Sequence, residues 1–347
     1  MTRIIDNDYD EKRALAYDEK RKKHKLWQAE ILAVEKLLNS AEAEETILDA
    51  PIGTGRFIHL YENKKMNITG IDISQDMLNI AKTKTKANID LSIKNILELR
   101  EGQYDWTICI RLLNRLDASN MKSAIRALAS MTKKKCILGI RHTSQPDIAS
   151  LKTITHTTHD VEQIFNEVGF VAAERITLDK HGYHMYLLYK CEPLPQKINF
   201  DTSHGVHLIS YSTAGKSTFV KNNRGIYKNF TLFDMDDLMH SKQWIGRNET
   251  LQKLVKENPS KVCCVLSNAH KNPLPLSPGN YMCVLPSYRI FLRNQLGRKA
   301  WATSVNKRPS SAKLENVLQW RLDLIEWVQK AKLPVAQTFE QALDSIQ

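Results

Sequence analysis

The sequence lacks the features that would place a chain in a membrane, outside the cell or around a structural zinc ion. Its 347 residues contain no uninterrupted apolar run of about 18 residues, the length that a transmembrane helix needs. Charged residues begin at Arg3, so we predict no secretory signal. The six cysteines form no Cys-x-x-Cys pair. We therefore expect buried free thiols, no zinc site and a cytoplasmic location, or the host cytoplasm if the source is viral.

Acidic residues are scarce in the second half of the chain. Residues 1–192 hold 29 Lys and Arg against 27 Asp and Glu, a net charge of +2, whereas residues 193–347 hold 21 against 11, a net charge of +10. This excess indicates an anionic partner, and a nucleotide or nucleic acid is the leading candidate. No motif of a dedicated nucleic-acid module occurs, so a second interpretation is that the cations only neutralise a nucleoside triphosphate. The oligomeric state is left open.

Strand-like and helix-like patterns alternate through most of the chain, which predicts an α/β protein with mostly parallel sheets. Residues 9–40 have the apolar spacing of a helical extension. The first alternation ends in a predicted hairpin at 172–189, and a second alternation begins at residue 205. We predict two three-layer α/β domains: residues 1–192, a Pro-containing linker at 193–204, and residues 205–347.

A glycine turn follows the first predicted strand. Residues 49–55 read Asp-Ala-Pro-Ile-Gly-Thr-Gly, which places Asp49 four positions before Gly53 and Gly55, and Asp72 ends the next strand. Glycines let the backbone approach a ligand, and an acid at the end of the second strand can hold ribose hydroxyls. A dinucleotide-binding fingerprint would need a third glycine where Ile58 stands.

Residues 40–190 resemble the class I S-adenosylmethionine (SAM)-dependent methyltransferases. The resemblance rests on the acid and glycine turn, the ribose acid, Asn95-Ile96, Tyr104-Asp105 and the closing hairpin. It implies a Rossmann-like fold and SAM as the cofactor. It also implies roles for individual residues: the methionine end for Asp49 and Gly53, close backbone contact at Gly55, the ribose for Asp72, the adenine edge for Asn95, and the pocket floor for Ile110 and Arg111.

The methyl acceptor is not indicated by any motif. Enzymes that methylate adenine N6 or cytosine N4 carry an Asn/Asp-Pro-Pro-aromatic sequence after the fourth strand, where this chain has Arg111-Leu-Leu-Asn114. Enzymes that methylate cytosine C5 need a Pro-Cys nucleophile, and none stands there. These departures argue against methylation of duplex DNA bases by the usual machinery.

A phosphate-binding loop is predicted early in the second alternation, between an apolar run at 205–209 and a helix-compatible stretch at 219–223. Its sequence at 210–218 is Ser-Tyr-Ser-Thr-Ala-Gly-Lys-Ser-Thr, with serine in place of the first glycine of the usual pattern. Backbone N–H groups would surround the phosphates, a lysine would reach the terminal one, and a serine hydroxyl would hold Mg²⁺. The predicted nucleotide-binding residues are Ser210, Gly215, Lys216, Ser217 and Thr218.

Residues 205–300 resemble the P-loop kinases, including the 5′-hydroxyl polynucleotide kinases and the hydroxymethylpyrimidine DNA kinases of phages. The resemblance implies ATP and Mg²⁺ as cofactors, Asp236 as the general base and Asp234 as an acid at or near the metal, together with Ser217. It also implies that Arg293 and Arg298 stabilise charge on the transferring group, as Lys216 does. No acid marks a separate magnesium site at Ser267-Asn268.

Together, the two patterns predict a bifunctional transferase that combines SAM-dependent methylation with ATP-dependent phosphorylation of a hydroxyl. The substrate that joins both reactions best is a nucleotide or nucleic acid, as in DNA hypermodification or RNA end-processing, which suggests a viral source. Two other hypotheses stay open: a tailoring enzyme for a small metabolite, and a protein in which one half is a non-catalytic binding module.

Overall fold

The computed structural model divides the chain into two compact units, residues 1–190 and residues 191–347. The structure describes residues 11–85, 89–100, 102–144, 153–200, 205–210, 214–223, 225–234, 247–268, 280–295 and 314–346. None of the helices within these ranges is long and apolar enough to cross a membrane.

The first unit alternates strands and helices after two N-terminal helices. The helices are α1 (Glu11–Lys22), α2 (Lys25–Leu37), α3 (Ile58–Asn63), α4 (Gln75–Thr83), α5 (Ala118–Met131) and α6 (Thr158–Glu167). The strands are β1 (Thr46–Asp49), β2 (Asn67–Asp72), β3 (Asp90–Ile93), β4 (Tyr104–Cys109), β5 (Thr132–Thr143), β6 (His156–Thr157), β7 (Phe170–Thr177) and β8 (Tyr183–Lys190).

The sheet of the first unit has the order β3-β2-β1-β4-β5-β8-β7, with β6 paired to β5. All its neighbours run parallel except β8, which is antiparallel to both β5 and β7. The predicted mostly parallel sheet with a closing hairpin is therefore confirmed in this unit. The order reverses between β1 and β4, which creates a crevice at the carboxyl ends of these strands.

The core of the first unit forms where helices cover this sheet. Leu138 and Ile140 of β5 and Ile125 and Leu128 of α5 are all fully buried and belong to one apolar cluster. The spacing of the α5 residues puts them on one helix face, and β5 is buried along most of its length, as expected for a strand covered on both faces. This packing fixes the strand ends that surround the crevice.

The second unit is also an α/β structure. Its strands are β9 (Glu192–Pro193), β10 (Val206–Ser210), β11 (Phe230–Asp234), β12 (Val262–Asn268), β13 (Tyr281–Val284) and β14 (Pro334–Ala336). Its helices are α7 (Lys216–Asn223), α8 (Arg247–Glu257), α9 (288–295), α10 (Leu314–Ala331) and α11 (Phe339–Ser345). The sheet order is β11-β12-β10-β13-β14-β9, and every pair is parallel.

Two parts of the second unit differ from the sequence predictions. Residue 193, the first of the predicted linker, belongs to β9, which pairs with β14 at the sheet edge. An edge strand tolerates proline because its outward N–H group needs no partner in the sheet. Helix α8 was not predicted, because its sequence has few apolar residues to define a face.

Candidate functional sites

A cavity opens at the carboxyl ends of β1, β2 and β4 in the first unit. Its empty space, including the part open to solvent, is about 1050 Å³, which is at the upper end of the range for small-molecule sites. The residues that line it come from α1, α2, the glycine turn and the loops after β2, β3 and β4: Tyr17, Trp27, Pro51, Ile52, Gly53, Thr54, Arg56, Phe57, Ile71, Asp72, Ile73, Ser74, Met77, Lys94, Asn95, Ile96, Ile110, Arg111, Leu112 and Arg115.

The glycine turn after β1 presents its backbone to this cavity. Gly53 has a φ of +57°, and a Cβ atom placed on it would meet no heavy atom within 4 Å. A side chain here would therefore project into open space that a ligand can use. Gly55 also has a positive φ, of +71°, but a Cβ atom there would meet Ile58 and would lie 3.1 Å from the Ala81 Cα. Gly55 does not line the cavity and serves the packing of the turn.

Asp72, at the end of β2, is the acid that faces the cavity. Its carboxylate accepts hydrogen bonds from the backbone N–H groups of Gly53 (2.9 Å) and Ser74 (3.0 Å). Burial raises the pKa of Asp72, and these backbone N–H groups oppose that rise. The carboxylate is held in place and has further acceptor sites, which is the chemistry needed to bind a pair of ribose hydroxyls.

Asp49 lies away from the cavity. Its side chain is 1% exposed and accepts a hydrogen bond of 2.9 Å from the Tyr61 hydroxyl. Burial raises the pKa of Asp49 to about 7, against the opposing effects of the Tyr61 hydrogen bond and the Arg56 charge. The residue expected at the methionine end therefore lies beneath the turn, because β1 ends with its side chain directed into the core.

Asn95 and Ile110 both reach the cavity, from the loops after β3 and β4 respectively. The Asn95 side-chain oxygen accepts a hydrogen bond from the Leu97 backbone N–H (3.0 Å) and caps a short 3₁₀ helix. Its amide NH₂ group is a donor suited to a heterocycle edge. Gly53, Asp72, Asn95 and Ile110 are thus brought together, whereas Asp49 and Gly55 are not among the lining residues.

The sequence analysis missed the contribution of the N-terminal helices. Tyr17 of α1 and Trp27 of α2 line the cavity, and Asp18 of α1 accepts a hydrogen bond from the Thr54 hydroxyl (2.7 Å). Glu30 of α2 is fully buried. A sequence signal existed, because Glu30 lies three residues after Trp27 and four before Val34, on the apolar face of α2, where a carboxylate needs a partner.

In the second unit, the predicted phosphate loop follows the carboxyl end of β10. Ser210, the last residue of β10, is fully buried, and the Lys216 side chain is 4% exposed at the start of α7. Gly215 has a φ of +88°, and a Cβ atom there would meet nothing within 4 Å. Ser217 and Thr218, which follow on α7, are exposed. Residues 211–213 of the loop lie outside the described residues.

The acids and arginines predicted for phosphoryl transfer are only partly described. Asp234 ends β11 and is 1% exposed; β12 separates its strand from β10. Arg293 is exposed on α9. Asp236 and Arg298 lie outside the described residues. Within the part of the chain that the structure describes, no group of three His, Cys, Asp or Glu side chains is placed to hold a metal ion.

Comparison with protein families gives one match: residues 47–135 match a family model described as "Methyltransferase domain". These residues span β1 to the start of β5, including the glycine turn, Asp72, Asn95 and Ile110. They form an α/β Rossmann-like methyltransferase domain within the first unit. No curated protein matches the chain.

Solved structures similar to the chain are also methyltransferases by name. Magnesium protoporphyrin IX methyltransferase from Synechocystis PCC 6803 with bound SAM is 18% identical, with 53% of this chain and 98% of that chain covered and a TM-score of 0.40. A SAM-dependent methyltransferase from Clostridium acetobutylicum ATCC 824 is 16% identical, with 51% and 97% covered and a TM-score of 0.42. The PH0226 protein from Pyrococcus horikoshii OT3 is 16% identical, with 52% and 99% covered and a TM-score of 0.42.

Proposed function

We propose that the first unit binds SAM and transfers its methyl group to a nucleophilic acceptor. The observation that carries this proposal is the cavity at the carboxyl ends of β1, β2 and β4, within the segment that matches the methyltransferase family. A ligand at this reversal of strand order is expected in open α/β sheets. The glycine turn and the acid after β2 give this crevice the groups that a nucleoside needs.

The lining residues fit SAM in chemistry as well as in size. Asp72 would hold the ribose hydroxyls, Asn95 the adenine edge, and the open space at Gly53 would admit the chain that joins the sulfonium to the amino acid. When bound, SAM supplies an electrophilic methyl group. The protein contributes mainly by orienting the donor and acceptor in line and by excluding water.

This assignment is tested by equilibrium binding of SAM and S-adenosylhomocysteine to the full chain. We expect Asp72→Ala to weaken binding of both by about 10- to 100-fold, the effect of losing hydrogen bonds to a charged group. Asp90→Asn, at an exposed position on β3, is the matched control and should bind as the wild type does. A wild-type protein that binds neither ligand would disprove the assignment.

The second part of the proposal is that residues 205–347 bind ATP and Mg²⁺ and phosphorylate a hydroxyl. The parallel order β11-β12-β10-β13-β14 supports it, because the glycine–lysine loop then follows an inner strand at a reversal of strand order. The open space at Gly215 and the position of Lys216 at the start of α7 are consistent with a phosphate at this end of the helix.

Several residue roles in this reaction are proposed from the sequence resemblance. Lys216 would contact the terminal phosphate, and Ser217 and Asp234 would contribute to the Mg²⁺ site. Asp236 would accept the proton of the attacking hydroxyl, while Arg293 and Arg298 would stabilise the transferring group. The buried carboxyl of Asp234 at the end of β11 supports an acid at this edge of the sheet.

ATP turnover by single variants separates a kinase from a non-catalytic module. Lys216→Ala should lower phosphoryl transfer on the order of 100-fold, as the loss of a charge-stabilising group does. Lys221→Ala, an exposed lysine on the same helix, should leave it unchanged. If Lys216→Ala is as active as the wild type, the kinase proposal is wrong.

We propose a nucleotide or nucleic acid as the common substrate, with DNA hypermodification or RNA end-processing as the biological setting. The support is the net charge of +10 on residues 193–347, from 21 Lys and Arg against 11 Asp and Glu. Nucleoside mass spectrometry after incubation with SAM, ATP and Mg²⁺ would reveal an added methyl or phosphate. Oligonucleotide binding that weakens steeply with salt supports this substrate class, and its absence at low salt favours a small metabolite.

A further inference from the structure

Three charged side chains form a buried group beside the cavity, which we call the Glu30 cluster: Glu30 of α2, Arg56 of the glycine turn and Arg111 after β4. The Glu30 carboxylate accepts from Arg56 Nη1 at 2.7 Å and from Arg111 Nε at 2.9 Å, and Arg111 Nη2 lies 2.9 Å from the same carboxylate. The three side chains are 0%, 10% and 23% exposed, in that order.

The Glu30 cluster carries more positive than negative charge. Two guanidinium groups share one carboxylate, which leaves a net charge of +1 in a mostly buried place where an anion would be attracted. A guanidinium has five N–H donors, and the bonds to Glu30 use only part of each set. Both arginines also line the cavity, so a ligand there can reach their other N–H groups.

The position of these arginines is fixed by their surroundings. The Arg56 guanidinium lies 4.2 Å from the centre of the Trp27 ring and 4.3 Å from that of Phe57. Arg111 has a backbone φ of +67°, an unfavourable conformation for a residue with a side chain. Its two-point pairing with Glu30 offsets the cost of this conformation and directs the guanidinium along one line.

The cavity has an order of charge that matches an elongated donor. The strand order β3-β2-β1-β4 places Asn95, after β3, and Arg111, after β4, on opposite sides of β1 and β2. Asp72, the hydroxyl-binding acid, ends β2 on the Asn95 side. A donor whose ribose lies at Asp72 and whose base lies at Asn95 therefore extends its amino-acid end toward β4 and the Glu30 cluster.

We infer that the Glu30 cluster holds the α-carboxylate of the methyl donor. Arg111 and Arg56 would donate N–H groups to that carboxylate, and Glu30 would act as a positioning residue that orients both guanidinium groups and ties α2 to the cavity. This inference rests on the proposed SAM binding and adds a recognition site that lies partly outside the segment matched to the family, since Glu30 precedes residue 47.

Binding of two related ligands tests the inference without a need for turnover. S-adenosylhomocysteine carries the α-carboxylate, and 5′-methylthioadenosine lacks the entire amino-acid portion. Arg111→Gln should weaken binding of S-adenosylhomocysteine at least tenfold and change that of 5′-methylthioadenosine less than twofold. Glu30→Gln should give the same pattern with a smaller loss. Arg126→Gln, on the exposed face of α5, is the control and should change neither affinity.

The outcomes separate this inference from the proposed function. If the wild type binds neither ligand, SAM binding itself is wrong. If the wild type binds both and Arg111→Gln weakens both equally or neither, the Glu30 cluster does not recognise the carboxylate. Arg111→Lys covers the case in which Arg111→Gln fails to fold: it keeps the charge but loses the two-point geometry, and we expect it to weaken S-adenosylhomocysteine selectively.

Discussion

Gly53 and Gly55 both have a positive φ, but the space around each differs. A Cβ atom on Gly53 meets nothing within 4 Å, whereas one on Gly55 meets Ile58 and the backbone of Ala81. The first glycine thus leaves room for a ligand, and the second permits α4 to approach the turn. The common sequence pattern conceals this division, since both positions satisfy the same Gly-x-Gly spacing.

Alanine substitutions at these glycines should have opposite main effects. Gly53→Ala should destabilise the first unit by about 1–2 kcal/mol, the cost of a left-handed residue with a side chain, and should weaken SAM binding more than tenfold. Gly55→Ala should add a steric cost of roughly 1–3 kcal/mol to that strain. Chemical unfolding and calorimetric binding measure the two effects. Equal stability losses with equal affinities would contradict this division.

Asp49 should make the stability of the first unit depend on pH near neutrality. Its pKa is raised from 3.8 to about 7 by burial. The protonated carboxyl therefore favours the folded unit below pH 3.8, and this contribution decreases as the pH rises toward 7. The total change is on the order of 4 kcal/mol.

Asp49→Asn keeps the shape of the side chain and removes the titration. We expect the difference in unfolding free energy between the wild type and this variant to change in favour of the variant as the pH rises from 4 to about 7.5. Unfolding would be followed through the transition that S-adenosylhomocysteine shifts. Asp90→Asn should show no such trend, and a pH-independent difference for Asp49→Asn would contradict the raised pKa.

At the scale of elements, the N-terminal helices belong to the site rather than to its periphery. Asp18 of α1 bonds to Thr54 in the glycine turn and also pairs with Lys84 after α4. Trp27 and Glu30 connect α2 to Arg56. A ligand in the cavity should therefore restrain both helices, because it contacts Tyr17 and Trp27, which line the wall.

Hydrogen exchange measures this restraint directly. S-adenosylhomocysteine should slow amide exchange in α1 and α2 by at least threefold, because opening of these helices would expose the bound ligand. Helix α5 packs on the sheet and does not line the cavity, so its exchange should change less. Unchanged protection in α1 and α2 at saturating ligand would show that they do not cover the site.

The sequence predicted the strands of the first unit because alternation and apolar runs follow directly from a sheet covered on both faces. It also located Asp72 and Asn95, since a motif marks each strand end. It did not locate Glu30, whose role depends on Arg56 and Arg111, 26 and 81 residues away. Pairings over such distances are set by packing, and a single sequence carries no spacing rule for them. Asp49 shows the reverse case, in which a motif position lies out of reach of the cavity.

At the scale of the whole molecule, each unit should respond to its own ligand. A ligand at 100 times its Kd stabilises the folded state by about 2.7 kcal/mol. We expect S-adenosylhomocysteine to raise one thermal transition and ATP with Mg²⁺ to raise another, as seen by differential scanning calorimetry. Lys216→Ala should remove the ATP shift only, and Asp72→Ala the S-adenosylhomocysteine shift only. A nucleotide shift that survives Lys216→Ala would contradict the second site.

All six cysteines are buried and free, two of them, Cys109 and Cys136, in the first unit and four, Cys191, Cys263, Cys264 and Cys283, in the second. A thiol reagent can reach them only when the surrounding structure opens. Alkylation therefore reports opening of each unit in the unmodified chain, with mass spectrometry assigning every modified peptide to its unit. No label has to be engineered into either half to compare how often they breathe.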